Sequence, residues 1–291
     1  RTTLVEFLPQ IMGKEDPEVA AFVQACLEDE GVTVLTDTGI QLAERRNDEV
    51  YLEAVRKTES GGTETVSLST KALLIAAGRV PNVEGLNLEA AGVDFTKQGI
   101  PVNDYLQTSA SHIYAAGDIA GPYQFTHTAD AQARVVVRNI MMPFQFLRQK
   151  ANLSVVPWST YTDPEVAHVG LTERDADEQN INYDLYKQEL NEVDRNIVES
   201  EEIGFAKVLT ERGSDKILGV TLIGAHAGDL LHEFVLAMKH GIGLGGIAAT
   251  IHGYPTFAEI ARKLGDQYNR TRLTPRAKSI FSWLYRRQRG A

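Results

Sequence analysis

One cysteine, Cys26, stands among 291 residues. That excludes an internal disulfide and a cysteine-rich metal site, and it suits a reducing compartment, so a cytoplasmic location and no metal centre are expected. Long apolar runs are missing as well. No stretch approaches the ~20 residues of a membrane span, and no charged-then-apolar leader opens the chain, so a soluble protein is expected. Positive charge is scarce: 29 Lys and Arg stand against 39 Asp and Glu, a net −10. A field of that sign repels phosphate backbones and argues against a nucleic-acid partner. What remains is an ordinary globular composition, 43% apolar and 23% charged, with material for two or three compact units.

The pattern opens on "TTLVEF", a strand, and Asp16-Pro17 starts a helix through "PEVAAFVQACLEDEG" that ends at Gly31. "VTVLTD" is the next strand. Strand, helix and strand in that order predict a parallel α/β unit. Hairpin-like segments cross the polar "RRNDE" and "ESGGTE" turns and lead to "ALLIAAGRVPN", which reads as a strand buried on both faces. "HIYAAGDI" reads the same way, so "IAAGR" (75–79) and "YAAGD" (114–118) form a short internal echo. A helix is expected from Thr126 to Met142. From Trp158 the pattern turns to α+β: "GFAKVLTE" and "KILGVTLIG" make a hairpin, and "AGDLLHEFVLAMKHG" is an amphipathic helix with Leu231, Phe234, Val235 and Met238 on one side. Residues 271–291 carry six Arg or Lys among aromatics and are the only basic segment. Two readings stay open for this tail: a helix packed on its own or a partner subunit, or contact with a membrane surface through Phe281, Trp283 and Leu284.

Two carboxylates invite chemistry. Glu6 ends the first strand, where an acidic residue of a dinucleotide fold accepts from the adenosine ribose hydroxyls and repels a 2′-phosphate; a plain surface glutamate reads the same. Asp118 stands at the carboxyl end of an expected buried strand, where ligands bind in open α/β sheets and where an unpartnered carboxylate is costly. Gly117 lets a ligand approach the backbone, and Thr126 or Thr128 can cap the following helix. A simple turn aspartate is the alternative.

These residues carry a family resemblance. "TSASHIYAAGD" (108–118) resembles the second flavin motif of the pyridine nucleotide-disulfide oxidoreductases, and "LLIAAGRVPN" their exit from the NAD domain, with Gly78 and Arg79. "TDPEVAHVGLTE" (162–173) resembles the entry to their dimerisation domain, and "HGYPTFAE" (252–259) their active-site loop. Mercuric reductase and dihydrolipoamide dehydrogenase are the similar branches. The resemblance implies FAD- and NAD-binding Rossmann-like portions plus a C-terminal α+β dimerisation domain, divided as 1–80 (NAD), 81–150 (FAD), 151–270 (dimerisation) and 271–291 (a helical tail). It further implies FAD held by Asp118 and Gly117 and by the backbone at Thr126 and His127. NADH would be favoured over NADPH through Glu6, and a homodimer would act on a small-molecule or thiol/disulfide substrate.

The departures are informative. The family's first Gly-rich motif, its redox-active Cys pair and the NAD Gly-rich turn are not among these residues. The chain therefore resembles the C-terminal portion of such an enzyme and is expected to be inactive alone. Where dithiol dehydrogenases place a His before the loop Pro, paired to a Glu, this chain has Tyr254 before Pro255, with Glu259 retained. A neutral phenol is a poor base for a thiol but can donate to a thiolate. His252 is the candidate for a displaced base. A non-catalytic dimeric interaction module, or a flavin NADH dehydrogenase or transhydrogenase without the disulfide, remain as alternatives.

Overall fold

The first strand, β1 (Thr3–Val5), is joined by helix α1 (Pro17–Asp29) to a parallel neighbour, β2 (Thr33–Leu35). Pro17 enters at the first helical turn, where its missing N–H costs nothing, and α1 buries Val19, Ala20 and Val23. A three-stranded antiparallel meander follows: β3 (Thr38–Arg46), β4 (Glu49–Lys57) and β5 (Thr63–Thr70). The computed structural model describes residues 1–58 and 60–290. Glu59, inside the expected "ESGGTE" turn, lies outside the described residues.

The predicted strands at 72–80 and 112–118 do not form. Residues 71–80 are exposed with no ladder, and Tyr114 makes only a single bridge, to Gln107. An apolar run becomes a strand only if a neighbouring backbone accepts and donates its hydrogen bonds, and none lies alongside these among the described residues. The helix after them does form, as α2 (Thr126–Met141).

The remainder builds a five-stranded antiparallel sheet. Its strands are β6 (Pro157–Thr160), β7 (Val166–Gly170), β8 (Tyr183–Glu189), β9 (Phe205–Glu211) and β10 (Ile217–Ile223), in the order β6-β7-β10-β9-β8. Helix α3 (Glu173–Glu178) follows β7, and α4 (Asp194–Glu199) precedes β9. Next come α5 (Ala227–His240), which covers β10 and β7, then α6 (Leu244–Ala249), α7 (Glu259–Thr271) and α8 (Pro275–Gln288). At Gly219 a Cβ would sit 1.9 Å from the Leu171 carbonyl oxygen, so only glycine lets β10 pass that loop. His168 is buried between the Thr221 hydroxyl (2.7 Å) and the Gly170 carbonyl (3.0 Å), with Trp158 4.5 Å away.

Packing divides the chain into two compact units, 1–73 with 157–291, and 74–156. This is a division by contact and differs in kind from the four family segments. In the first unit Val19 and Val23 of α1 share one core with Val166, Phe205 and Ile223 of the sheet. A buried ion cluster reinforces it. Lys207 of β9, 2% exposed, lies 2.8 Å from Glu18 and 3.8 Å from Asp16, and pairs closely with Glu173. The Asp16 carboxylate accepts from the backbone N–H groups of Glu173 and Arg174, each at 3.2 Å, so it caps α3 rather than its own helix. Burial alone would push the Lys207 ammonium down, yet its hydrogen bonds to Glu173 and Glu18 outweigh that and hold it above the ordinary lysine value. The second unit has a small core of Leu88, Val93, Ile100, Ala115 and Ala120.

Candidate functional site

Within unit 74–156 the two echoing segments meet at their ends. The Arg79 guanidinium lies 3.6 Å from the Asp118 carboxylate and donates to the Gln124 carbonyl at 2.5 Å. Asp118 is half exposed rather than buried, a correction that follows from the missing strand: without flanking backbone, nothing covers the carboxylate. Gly117 is buried at φ +80, and a Cβ there would press on Ala129 at 3.1 Å, so the first turn of α2 packs against bare backbone. The Gly117 N–H donates to Gln132 Oε1 at 2.6 Å, a contact with no local signature in the sequence. Gly78 holds a positive φ of 105° just before Arg79.

The expected threonine cap on α2 is also corrected. Phe125 occupies the cap position, Thr126 is the first helical residue, and no side chain caps the helix. Thr128 is instead buried within the first turn, its hydroxyl without a hydrogen-bond partner among the described residues. His127 stacks its ring on Phe125 at 5.2 Å, and Phe125 on Tyr123 at 6.1 Å.

The other candidates belong to the first unit. Glu6 follows β1 directly, its N–H donating to the Leu35 carbonyl at 2.8 Å, so it stands at the carboxyl end of a parallel pair as expected; one carboxylate oxygen accepts from the Leu8 N–H at 2.9 Å. Tyr254 is 72% exposed, and its hydroxyl donates to Asp194 Oδ2 at 2.6 Å. Asp194, sixty positions upstream at the start of α4, was invisible to local pattern. Because the phenolic O–H already donates to Asp194, Tyr254 has only acceptor lone pairs left to offer a further partner. That revises the expectation that it donates to a thiolate. The Asp194 hydrogen bond and charge, with a further contribution from Glu259, hold the phenol above the ordinary tyrosine value.

Glu259 does not meet residue 254 by a hydrogen bond. It is buried at the start of α7, paired to Arg262 at 2.6 Å, and its second oxygen has no partner among the described residues. The Arg262 pairing lies three residues along a helix, a spacing the sequence did display. His252 has a 6% exposed side chain, with Nδ1 facing the Thr250 carbonyl at 3.0 Å and Nε2 facing Glu233 at 2.9 Å. Both nitrogens are occupied, which argues against a displaced base and for a loop pin. Cys26, on α1, is held as a thiol by burial and by Asp29 and Glu30. No cluster of metal-ligating residues occurs among the described residues, and no helix among them is long and apolar enough to cross a membrane.

A parallel β-α-β unit, an antiparallel meander and a helix-covered antiparallel sheet define a mixed α/β protein with an α+β portion. The profile of the pyridine nucleotide-disulphide oxidoreductases matches residues 1–133, and that of their dimerisation domain matches 156–264. The chain belongs to this family of FAD-dependent oxidoreductases, which use FAD and a nicotinamide coenzyme. It is 33% identical to mercuric reductase of Bacillus cereus over 88% of this chain and 40% of that protein. To dihydrolipoyl dehydrogenase of Thermus scotoductus it is 36% identical, over 88% of this chain and 54% of the relative. The chain thus spans about half the length of the curated relatives it matches. In fold it resembles the HOCl-induced flavoprotein disulfide reductase RclA of Escherichia coli, with a TM-score of 0.80 over 91% of this chain and 58% of that one at 23% identity.

The residues present fit a flavin nucleotide. Asp118 presents a half-exposed carboxylate, and α2 offers an uncapped N-terminal turn with the unsatisfied Thr128 hydroxyl inside it.

Proposed function

We propose that these residues belong to an FAD-dependent NADH oxidoreductase, dimeric through the portion from about 157 onward. Segments 1–80, 81–150 and 151–270 would serve as parts of its NAD, FAD and dimerisation domains, and 271–291 as a helical tail. Asp118, Gly117, Thr126, His127, Gly78 and Arg79 would hold FAD, and Glu6 the adenosine ribose of NADH. Bound FAD would supply a two-electron acceptor for the nicotinamide hydride. The fragment alone, lacking the family's first Gly-rich motif, is read as inactive.

The observation that carries the choice of acceptor is the Tyr254–Asp194 hydrogen bond. Oxidising a dithiol needs a group that takes a thiol proton near neutral pH. The neutral phenol is far too weakly basic, the carboxylate behind it, though more basic than the phenol, is still a poor base for a thiol, and both nitrogens of His252 face acceptors. A dithiol to be oxidised is therefore disfavoured as substrate, and the acceptor for the hydride is a disulfide, a metal ion or another species that needs no thiol base on this loop.

The test uses the full-length protein with bound flavin. NADH should bleach the flavin at an ordinary rate while dihydrolipoamide turnover is poor. Tyr254→His should raise that turnover by about 100-fold or more, the usual contribution of a general base. Efficient dihydrolipoamide oxidation by the unmutated protein would sink the reading. A protein that binds no flavin would favour the interaction module instead.

A further inference from the structure

The matched dimerisation domain ends at residue 264, so helix α8 lies outside both family domains. It is well formed. Thr274 caps it by accepting from the Ala277 N–H at 3.2 Å, Pro275 sits in the first turn, and Arg286 and Arg287 occupy the last, where cations suit the helix dipole. Yet none of its 14 residues is buried.

The helix has two unlike faces. Ala277, Ile280, Phe281 and Leu284 recur at three and four spacing and make one apolar stripe, and Ile280 is 58% and Phe281 49% exposed. At 100° per residue, Trp283 and Tyr285 fall on the two margins of that stripe, with Arg276 and Arg287 beside Trp283 and Lys278 beside Tyr285, and Ser279, Ser282 and Arg286 on the face opposite it. The Arg287 guanidinium lies 5.6 Å over the Trp283 ring. Residues 271–291 hold six of the 29 basic residues and none of the 39 acidic ones. A purely cationic segment with an open apolar stripe thus stands on a chain of net charge −10.

We infer that α8 is an in-plane anchor for an anionic lipid bilayer. The stripe would enter the boundary between headgroups and acyl chains. Trp283 and Tyr285, with apolar rings and polar tips, would lie at its edges, and the six cations would meet lipid phosphates. Fourteen residues reach only ~21 Å as a helix, short of a ~30 Å hydrocarbon core, so the helix lies on the bilayer and does not cross it. A second copy of this chain fits less well. Its acidic surface could attract the cations, but six cations with no acid among them beside an apolar stripe suit the dense anionic charge of a lipid surface, and the flotation experiment separates the two occupants. The inference stands independently of the redox reading.

Flotation of the full chain tests it, with vesicles of phosphatidylcholine alone and with phosphatidylglycerol added. The protein should float with the anionic vesicles at low salt, release as salt rises past ~0.5 M, and leave neutral vesicles nearly unbound. Arg286→Gln and Arg287→Gln should each weaken partitioning by about fivefold, and Phe281→Ser with Leu284→Ser should abolish it. Circular dichroism and a thermal melt establish that these variants are folded. On binding, tryptophan emission should shift to the blue and lose that shift in Trp283→Phe, since Trp158 is packed on His168. Absence of binding to anionic vesicles at low salt would overturn the inference, as would equal binding to neutral ones. So would a concentration-dependent dimer abolished by Leu284→Ser and indifferent to vesicles, which would make α8 a subunit seam.

Discussion

The sheet of residues 157–223 and the stretch 74–156 read alike in sequence, both rich in short apolar runs, and they fold differently. In the first, every strand has a hydrogen-bonded neighbour, and Val166, Ala167, Val169, Val208 and Val220 on its central strands are all inaccessible. In the second, Leu74, Ile75 and Val80 are between 79% and 88% exposed, and α2 leaves Val137, Ile140 and Met141 open. Burial is a property of pairs of surfaces. An apolar run with no partner strand among the described residues stays exposed, and Asp118, at the end of the second unpaired run, remains half exposed as well.

The largest expected effect lies in the well-covered region. Lys207→Ala strands Asp16 and Glu173 beside a lost cation and should cost about 3–5 kcal/mol, read by urea denaturation. A change under about 1 kcal/mol would mean the cluster is solvated and the contrast between the regions overstated. The pH dependence sharpens this. Lys207 is held above its ordinary 10.5, so its contribution is full below that value and fades as pH climbs through the raised one. Burial would push Glu18 up, but Lys187 and Lys207 outweigh it and hold it below 4.5. Its share is therefore present above 4.5 and fades as pH falls through the lowered value. The stability gap between wild type and Lys207→Ala should be widest between those limits and narrow on either side.

A matched pair of truncations compares the regions directly. Leu209→Ala, in a side chain 2% exposed on β9, should cost about 2–5 kcal/mol, whereas Ile75→Ser, 79% exposed, should change stability by less than about 0.5 kcal/mol. Similar losses at both positions would show that residues 72–80 are covered in solution by another segment or a partner.

Coenzyme choice probes the parallel β1–β2 edge. Glu6→Gln in the full-length protein removes the like charge facing a 2′-phosphate and should improve NADPH relative to NADH by about tenfold in kcat/KM. An unchanged ratio would place Glu6 outside the coenzyme site.

The smallest effect is spectroscopic. Tyr254 should ionise above the ordinary 10.0, so its bond to Asp194 persists below that value and is lost as pH rises through the raised one. Asp194→Asn should bring the titration back down, seen as a tyrosinate difference spectrum against Tyr254→Phe. No movement would mean that the pairing is absent in solution.

Much of the architecture was legible because its cause is local. Apolar alternation marked β9 and β10, three-four spacing marked α1 and α5, and Gly241 ended α5 with a positive φ that glycine adopts freely. The site was legible only in part. Asp118, Gly117 and Glu6 announced themselves by type and position, but their partners did not. Arg79 meets Asp118 across 39 positions, Tyr254 meets Asp194 across 60, and Lys207 meets Glu18 across 189.

By itself the sequence determined the helices and the antiparallel hairpins of this protein, its acidic balance, the two-faced pattern of residues 275–288, and a phenol where a thiol base would stand. Only the tertiary structure decided that Tyr254 gives its proton to Asp194, that both nitrogens of His252 are taken, that Lys207 is buried among carboxylates, and that the apolar run at 72–80 is no strand. The physical reason is one of range. Helical periodicity, turn chemistry and net charge depend on neighbours within a few residues. The partner of a hydrogen bond, an ion or a strand edge is chosen by packing between segments that may be far apart in the chain.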